Sequence, residues 1–154
     1  VYNPVFVYVP ADMKYDVERV ARFNSVVVRA ASPELSVGGA TLGELREREE
    51  LVLPAGLEVV GEGWFVQAKC ARVVVPASVV EIGVHAFTGC EGLREVEFAA
   101  GSRLAKIGTG AFAASGLRSF RAPSALRELC QNAFCGCQEL TSVELNEGLE
   151  VLGS

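Results

Sequence analysis

One motif recurs along this chain at nearly constant spacing. It begins with an aliphatic residue that is usually followed at once by glycine. An Ala-Phe or Trp-Phe pair starts three residues after this glycine position. The phenylalanines of the four copies lie 22, 25 and 22 residues apart, at Phe65, Phe87, Phe112 and Phe134. A period of this size is typical of a solenoid, in which each unit buries its apolar face against the units on either side. The scaffold then sets the shape of the molecule, whereas its exposed positions select a partner.

Each repeat has two halves with different periodicity. The first half alternates apolar and polar residues, as in residues 93–98 and 140–145, and this predicts a short strand in a parallel sheet. Prolines that cannot donate to the sheet follow three of these strands, namely Pro54, Pro76 and Pro123. In the second half the apolar residues lie three and four apart, which predicts a short helical or 3₁₀ turn on the convex side.

The second half also carries a glycine in three repeats, at Gly61, Gly83 and Gly108, where the last repeat has Cys130. Either a positive φ or a close approach of neighbouring coils explains a glycine at this position. The interval of 25 residues comes from extra residues at 99–103, which we expect to form a wider surface loop.

The combined pattern is Leu-x-x-Val-x-Leu-Pro followed by Leu-x-x-Ile-Gly-x-x-Ala-Phe-x-x-Cys, and it resembles the BspA-like, or treponemal-type, leucine-rich repeats. The likeness covers residues 49–154, with the last repeat incomplete. It implies an α/β repeat solenoid with a parallel concave sheet. It also implies a secreted or surface protein that acts in adhesion and protein–protein contact without catalysis.

The N-terminal third does not follow the repeat, yet we expect one domain over residues 1–154. Strand-like runs occupy residues 5–10 and 23–29, and residues 13–22 between them could form one helical face. We interpret residues 1–48 as degenerate coils that cap the first open core, because a solenoid needs an atypical terminal unit.

Composition excludes several classes of function. The net charge is −5 with a pI near 5.0 and no basic cluster, which argues against nucleic acid as a partner. No apolar run approaches the ~18 residues of a membrane-spanning helix, and the first residues lack the features of a signal peptide. This start indicates a soluble chain that has been processed or trimmed.

The five cysteines show no zinc-type spacing. Cys90 and Cys137 each follow a repeat phenylalanine by three residues, so we predict buried free thiols there. They lie two coils apart, roughly 10 Å at strand spacing, which is too far for a disulfide. Unpaired cysteines favour a reducing compartment, whereas the family resemblance implies an extracellular, cell-surface or periplasmic one.

Catalysis has little support in the sequence. His85 is the single histidine, and phosphate-binding loops, nucleophile elbows and histidine metal pairs are missing from the sequence. We therefore predict no catalytic, cofactor-binding or metal-binding residues. A hydrolase that uses Glu95, Glu97 or a cysteine is the remaining enzymatic alternative, without a base or an orienting partner.

The strand register predicts two exposed columns on the concave sheet. One contains Glu50, Arg72, Glu95, Ser119 and Ser142, and the other contains Val27, Val52, Val74, Glu97, Arg121 and Glu144, with Tyr8 adjoining if the first strand continues the sheet. Opposite charges then lie next to one another. These pairs either stabilise the sheet or bind a partner. Exposed valines in a row indicate an interaction site, unless the N-terminal cap or another protomer covers them.

We therefore predict a non-enzymatic module that binds a protein or peptide ligand through the concave sheet. The predicted ligand-binding residues are Tyr8, Val27, Val52, Arg72, Val74, Glu95, Glu97, Arg121 and Glu144. The alternative is a structural, self-assembling domain that forms a homo-oligomer through the concave apolar patch or the open C-terminal coil.

Overall fold

The computed structural model of the protein describes residues 5–10 and 25–153. In them the chain forms a parallel solenoid of about six turns. The helical face expected at residues 13–22 lies outside the described residues. The elements are β1 (Val5–Pro10), β2 (Ser25–Ala30), β3 (Ser36–Val37), β4 (Ala40–Thr41), α1 (Leu42–Arg46), β5 (Glu50–Val52), β6 (Val59–Val60), β7 (Arg72–Val75), β8 (Glu81–Ile82), β9 (Glu95–Phe98), β10 (Lys106–Ile107), β11 (Ser119–Arg121), β12 (Glu128–Leu129), β13 (Ser142–Glu144) and β14 (Val151–Leu152).

The predicted strands of the repeats form the concave wall, which consists of β5, β7, β9, β11 and β13. The first three of them pair in parallel, and so do the last two. Inward side chains alternate with outward ones, so that Val73 and Val75 are fully buried while Arg72 and Val74 point outward. The predicted parallel sheet and its alternation are thus confirmed.

A second wall was not expected from the sequence. The two-residue strands β6, β8, β10, β12 and β14 form a continuous five-stranded parallel sheet. Val60, Ile82 and Ile107 in these strands are fully buried. The three- and four-residue spacing around Val60 and Ile82 had predicted a helical turn, but β-branched side chains at strand spacing pack here as a ladder instead.

The third side of each coil, the turn wall, carries the repeat phenylalanine and consists of residues 61–68, 83–90, 108–115 and 130–137. The residues two before and two after each phenylalanine have positive φ: Gly63 and Gln67, His85 and Gly89, Gly110 and Ala114, and Asn132 and Gly136. The sequence predicted short helical or 3₁₀ turns on this side. A helix cannot continue through left-handed residues, so the side consists of successive tight turns and helices are very few. Among the described residues, α1 is the one α-helix, and Thr41 Oγ1 caps it by accepting from Glu44 N–H at 3.2 Å.

The core contains a ladder of phenylalanine rings. Phe65 stacks on Phe87 at 5.2 Å between ring centroids, Phe87 on Phe112 at 5.3 Å, and Phe112 on Phe134 at 6.0 Å. The first three rings are fully buried. The predicted inward register of the repeat is therefore confirmed.

The repeat glycines allow close approach of neighbouring coils. Gly83 and Gly108 do not have a positive φ, but a β-carbon at Gly83 would lie 2.8 Å from Val60 O, and one at Gly108 would lie 2.7 Å from Val84 N. Of the two explanations offered by the sequence, the close approach is the one that the structure supports at these two residues.

The N-terminal strands lie on the turn wall and do not extend the concave wall. β1 and β2 pair in parallel in a sheet of their own. Ala31 N–H donates to Gly63 O at 3.1 Å, and the Tyr8 hydroxyl lies over Gly89, 2.5 Å from where a β-carbon would stand. The expected placement of Tyr8 and Val27 beside Val52 is therefore wrong, because a main-chain hydrogen bond and side-chain packing against the turns hold these strands elsewhere.

All five cysteines are free thiols. Cys90 Sγ donates to Phe65 O at 3.1 Å, and Cys137 Sγ donates to Phe112 O at 3.0 Å, so each contacts the preceding phenylalanine coil. Cys90 is buried as predicted, whereas Cys137 is only half-buried. The last described coil has no further coil packed on its outer side, which explains the difference.

Candidate binding surface on the concave wall

The outward side chains of the concave wall form the two predicted columns, without Val27. Glu50, Arg72 and Glu95 are in register, and so are Val52, Val74 and Glu97. Two further pairs complete the columns across β11 and β13, namely Ser119 with Ser142 and Arg121 with Glu144.

Arg72 is the electrostatic centre of this surface. Its guanidinium contacts Glu50 at 2.7 Å, Glu95 at 3.6 Å, and Glu97. Arg121 Nε contacts Glu144 Oε2 at 2.7 Å, with most of the arginine side chain exposed. Exposed ion pairs of this kind each contribute roughly 0–1 kcal/mol, so together they add modestly to the stability of the domain. One guanidinium shared by three carboxylates leaves this part of the surface negative.

The apolar part of the wall is smaller than the sequence suggested. Val52 is 54% exposed and the neighbouring Val74 is half-buried. Since Val27 lies in another sheet, the apolar patch consists of Val52 and Val74 alone. It borders directly on Glu97 in the next strand.

The concave wall is divided between β9 and β11. These two strands do not pair, although each pairs with its other neighbour. Where the coils enter the wall, Ala71 N–H donates to Glu49 O at 2.7 Å and Arg94 N–H to Ala71 O at 2.8 Å, but Arg118 N–H reaches Arg94 O at only 3.5 Å. The series of backbone hydrogen bonds between neighbouring coils therefore lengthens at the Arg94–Arg118 contact.

The strand ends show the same division. Leu53 N–H donates to Val74 O at 3.1 Å, and Ala122 N–H donates to Glu144 O at 2.8 Å. No sheet pairing joins the corresponding residues Phe98 and Arg121, since β9 and β11 belong to separate sheets. Backbone groups of both strands thus face a gap.

A cleft of about 470 Å³ occupies this gap. The two strand edges, the residues that follow them and the loop after β9 line it. Charged and apolar groups meet there: Glu95, Glu97 and Arg121 at its rim, and Phe98 and Ala122 below. This size lies within the range of ligand sites, about 300–1,000 Å³.

The residues considered for catalysis are placed apart from one another. Glu95 and Glu97 both contact Arg72 on the concave wall, whereas His85 is buried in the turn wall. His85 Nδ1 lies 3.0 Å from Thr88 Oγ1, which itself donates to Gly110 O at 2.6 Å, so Nδ1–H is the donor to Thr88. Burial lowers the pKa of His85 below its ordinary value. In the described parts of the chain, three potential metal-ligating side chains do not come together anywhere.

Sequence reasoning missed a second charged group, on the second wall. Lys106 Nζ lies 3.4 Å from Glu128 Oε2 and 3.9 Å from Glu81 Oε1. The hydrogen bond to Glu128 is the main reason that the pKa of Lys106 is raised. A charged residue directly before the aliphatic residue of the motif in three repeats was the signal that could have revealed this group.

Comparison with known families identifies the repeat. The model of the BspA-type leucine-rich repeat region matches residues 50–154 with six copies. The chain belongs to this family. A search of curated proteins gave no match.

Solved leucine-rich repeat structures are similar to this one. A leucine-rich repeat protein from Bacteroides capillosus is 26% identical with a TM-score of 0.57, and the match covers 69% of this chain and 78% of that one. One from Bacteroides ovatus is 24% identical with a TM-score of 0.59, over 94% of this chain and 34% of that one. The pneumococcal vaccine antigen PcpA is 17% identical with a TM-score of 0.58, over 96% of this chain and 42% of that one.

The last two likenesses show the fold alone, and the BspA-type chain spans less than half the length of those two proteins. Proteins built from such repeats generally mediate protein interactions and are generally non-enzymatic. Among the described residues, no helix has the length and apolar character needed to cross a membrane.

Proposed function

We propose that this BspA-type domain is a non-enzymatic module that binds a protein ligand through the concave wall and acts in adhesion. We place it outside the cytoplasm, at the cell surface, in the extracellular medium or in the periplasm, because BspA-type proteins are typically surface-associated. The observation that carries the proposal is the juxtaposition of the exposed Val52 and the half-buried Val74 with the charged group around Arg72.

This arrangement suits recognition because binding energy concentrates in a few desolvated apolar contacts, while charged groups around them set orientation and association rate. Val52 and Val74 supply the apolar centre, and Glu50, Glu95 and Glu97 surround it with carboxylates. The side chains of this surface point away from the core, so the domain can present them without loss of packing.

A displayed library of small folded domains, selected on the purified protein, tests the proposal. Independent binders should protect the amides of β5, β7, β9, β11 and β13 from hydrogen exchange more than those of the second wall. Val52→Thr with Val74→Thr should weaken most binders by about thirtyfold or more, because buried hydroxyls without partners cost roughly 1–3 kcal/mol each, or at least about 2 kcal/mol for the two together. Threonine keeps the branched side chain and the strand preference.

Val59→Thr with Val151→Thr is the matched control, since these exposed valines lie on the second wall. Its binding should equal that of the unmodified protein. Binders distributed evenly over the second wall and the turn wall would contradict the proposal.

A second candidate is self-assembly, favoured by apolar residues exposed on the last coil, namely Val143, Leu145, Val151 and Leu152. Light scattering after size exclusion decides it. A dimer at micromolar concentration that Leu152→Glu dissociates supports self-assembly, and a monomer throughout rejects it.

A further inference from the structure

The divided concave wall leaves two unpaired strand edges that face each other. In the junctions on either side, β7 with β9 and β11 with β13, main-chain groups are used in sheet pairing. Between β9 and β11 they are not. An unpaired edge is a template for another strand, because its N–H and C=O groups are already aligned for hydrogen bonding.

The extra residues after β9 keep this gap open. Ala99 N–H donates to Val75 O at 3.0 Å, and Arg103 N–H donates to Ala77 O at 3.1 Å. Both bonds lead back to the preceding coil, and Ser102 N–H closes the loop onto Ala99 O at 3.1 Å. The loop is therefore held away from β11 by its own hydrogen bonds.

The core beneath the gap is correspondingly less covered. Val96 and Phe98, the inward residues of β9, are half-buried, whereas Val73 and Val75 one coil earlier are fully buried. The Phe98 and Phe120 rings still meet edge to face, with centroids 5.8 Å apart. The gap thus has an apolar floor made by the side chains and polar sides made by the backbones.

We propose that the cleft between β9 and β11 binds an extended segment of a partner protein by strand addition, and that this segment carries a basic side chain. The proposal rests on the proposed function and gives it a defined site. The segment would hydrogen-bond the free edge of β9 and set an apolar side chain against Phe98 and Ala122.

Charge complementarity selects the basic side chain. Glu95 and Glu97 line the cleft and share Arg72 with Glu50, so three carboxylates face one cation. The other cation at the rim, Arg121, is already paired with Glu144. A lysine or arginine from the segment would supply the missing positive charge.

The test uses twelve-residue random peptides displayed on phage, selected on the purified domain and then synthesised. Selected peptides should be enriched in lysine or arginine. In ¹⁵N spectra they should shift the amides of Phe98 and Arg121, and leave those of Ile82 and Ile107 on the second wall in place. N-methylation of single peptide amides should weaken binding about tenfold at every second position, because a strand turns alternate amides towards each edge.

Glu97→Gln should weaken these peptides several-fold and reduce their salt dependence. Glu50→Gln is the matched control, because it removes another carboxylate of Arg72 at two strands' distance from the cleft. It should leave affinity unchanged, and equal thermal midpoints for both variants would show that neither acts through folding.

The outcomes separate the two proposals. Peptides that shift β5 and β7 amides instead, or whose affinity ignores N-methylation, would overturn strand addition in the cleft while leaving the concave wall as a binding surface. If no selected peptide binds, the cleft proposal fails, whereas the proposed function is judged by the folded-domain binders.

Discussion

Replacing Phe87 by alanine should cause one of the largest losses of stability available in this domain. Phe87 is fully buried and stacks between Phe65 at 5.2 Å and Phe112 at 5.3 Å, with interplanar angles of 19° and 4°. Removal of a buried phenylalanine side chain costs about 3–5 kcal/mol, which includes the cavity that remains. Loss of two ring contacts, each of about 0.5–1.5 kcal/mol beyond buried area, places Phe87→Ala near the upper end.

Phe134→Ala is the matched comparison, because it removes the same atoms from the same position of the repeat. Phe134 is half-buried, and its ring lies 6.0 Å from that of Phe112 and 4.9 Å from that of Phe120. The Phe134 side chain buries less apolar area on folding than that of Phe87, so the expected cost of Phe134→Ala is about 2 kcal/mol. Since domains of this size are stable by about 5–15 kcal/mol, Phe134→Ala should fold throughout that range, and Phe87→Ala should fold unless the stability lies at its lower bound.

Urea denaturation followed by fluorescence provides the measurement. Trp64 is the single tryptophan and contacts the Phe65 ring edge to face at 6.2 Å, so its emission reports on the ladder itself. The expected result is a loss of unfolding free energy that is about 2 kcal/mol larger for Phe87→Ala than for Phe134→Ala. Equal losses, or a loss below 1 kcal/mol for Phe87→Ala, would refute the stacked-core explanation.

Two further predictions concern thiols and pH. Iodoacetamide should modify the half-buried Cys130 and Cys137 before the fully buried Cys90, as judged by peptide mass mapping, and early modification of Cys90 would show that its coil is open. Burial lowers the pKa of His85, so the unfolded chain binds a proton at higher pH than the folded one, and unfolding free energy should fall as pH drops below about 6.5. His85→Asn should flatten this slope in urea titrations at pH 7.5 and 5.5, because Asn132 holds the equivalent left-handed position in another coil, and an unchanged slope would exclude His85 as its source.

The parts of the fold that repeat could be predicted from the sequence. The inward position of Phe87 and the register of Glu50, Arg72 and Glu95 follow from one spacing applied to every unit, and both are confirmed. The second wall could not be found in this way, because strands such as Val59–Val60 are too short to show alternation.

The remaining differences arise from tertiary contacts. The sequence indicated strands near residues 5–10 and 23–29, and β1 and β2 occur there, but no periodicity shows which wall they pack against. Extra residues at 99–103 indicated a wide loop. That this loop bonds back to Val75 and Ala77, and thereby divides the sheet beneath the candidate site, depends on hydrogen bonds that spacing does not encode.

The paired left-handed positions around each phenylalanine bear on how such a repeat array can diverge after duplication. In each of the four coils, one position of the pair is glycine and the other is not, and the order changes: glycine comes first around Phe65 and Phe112, and second around Phe87 and Phe134. A non-glycine residue in this conformation costs roughly 1–2 kcal/mol, which one coil can tolerate within a packed stack. Duplicated units can therefore carry the glycine on either side of the phenylalanine and still form the same coil.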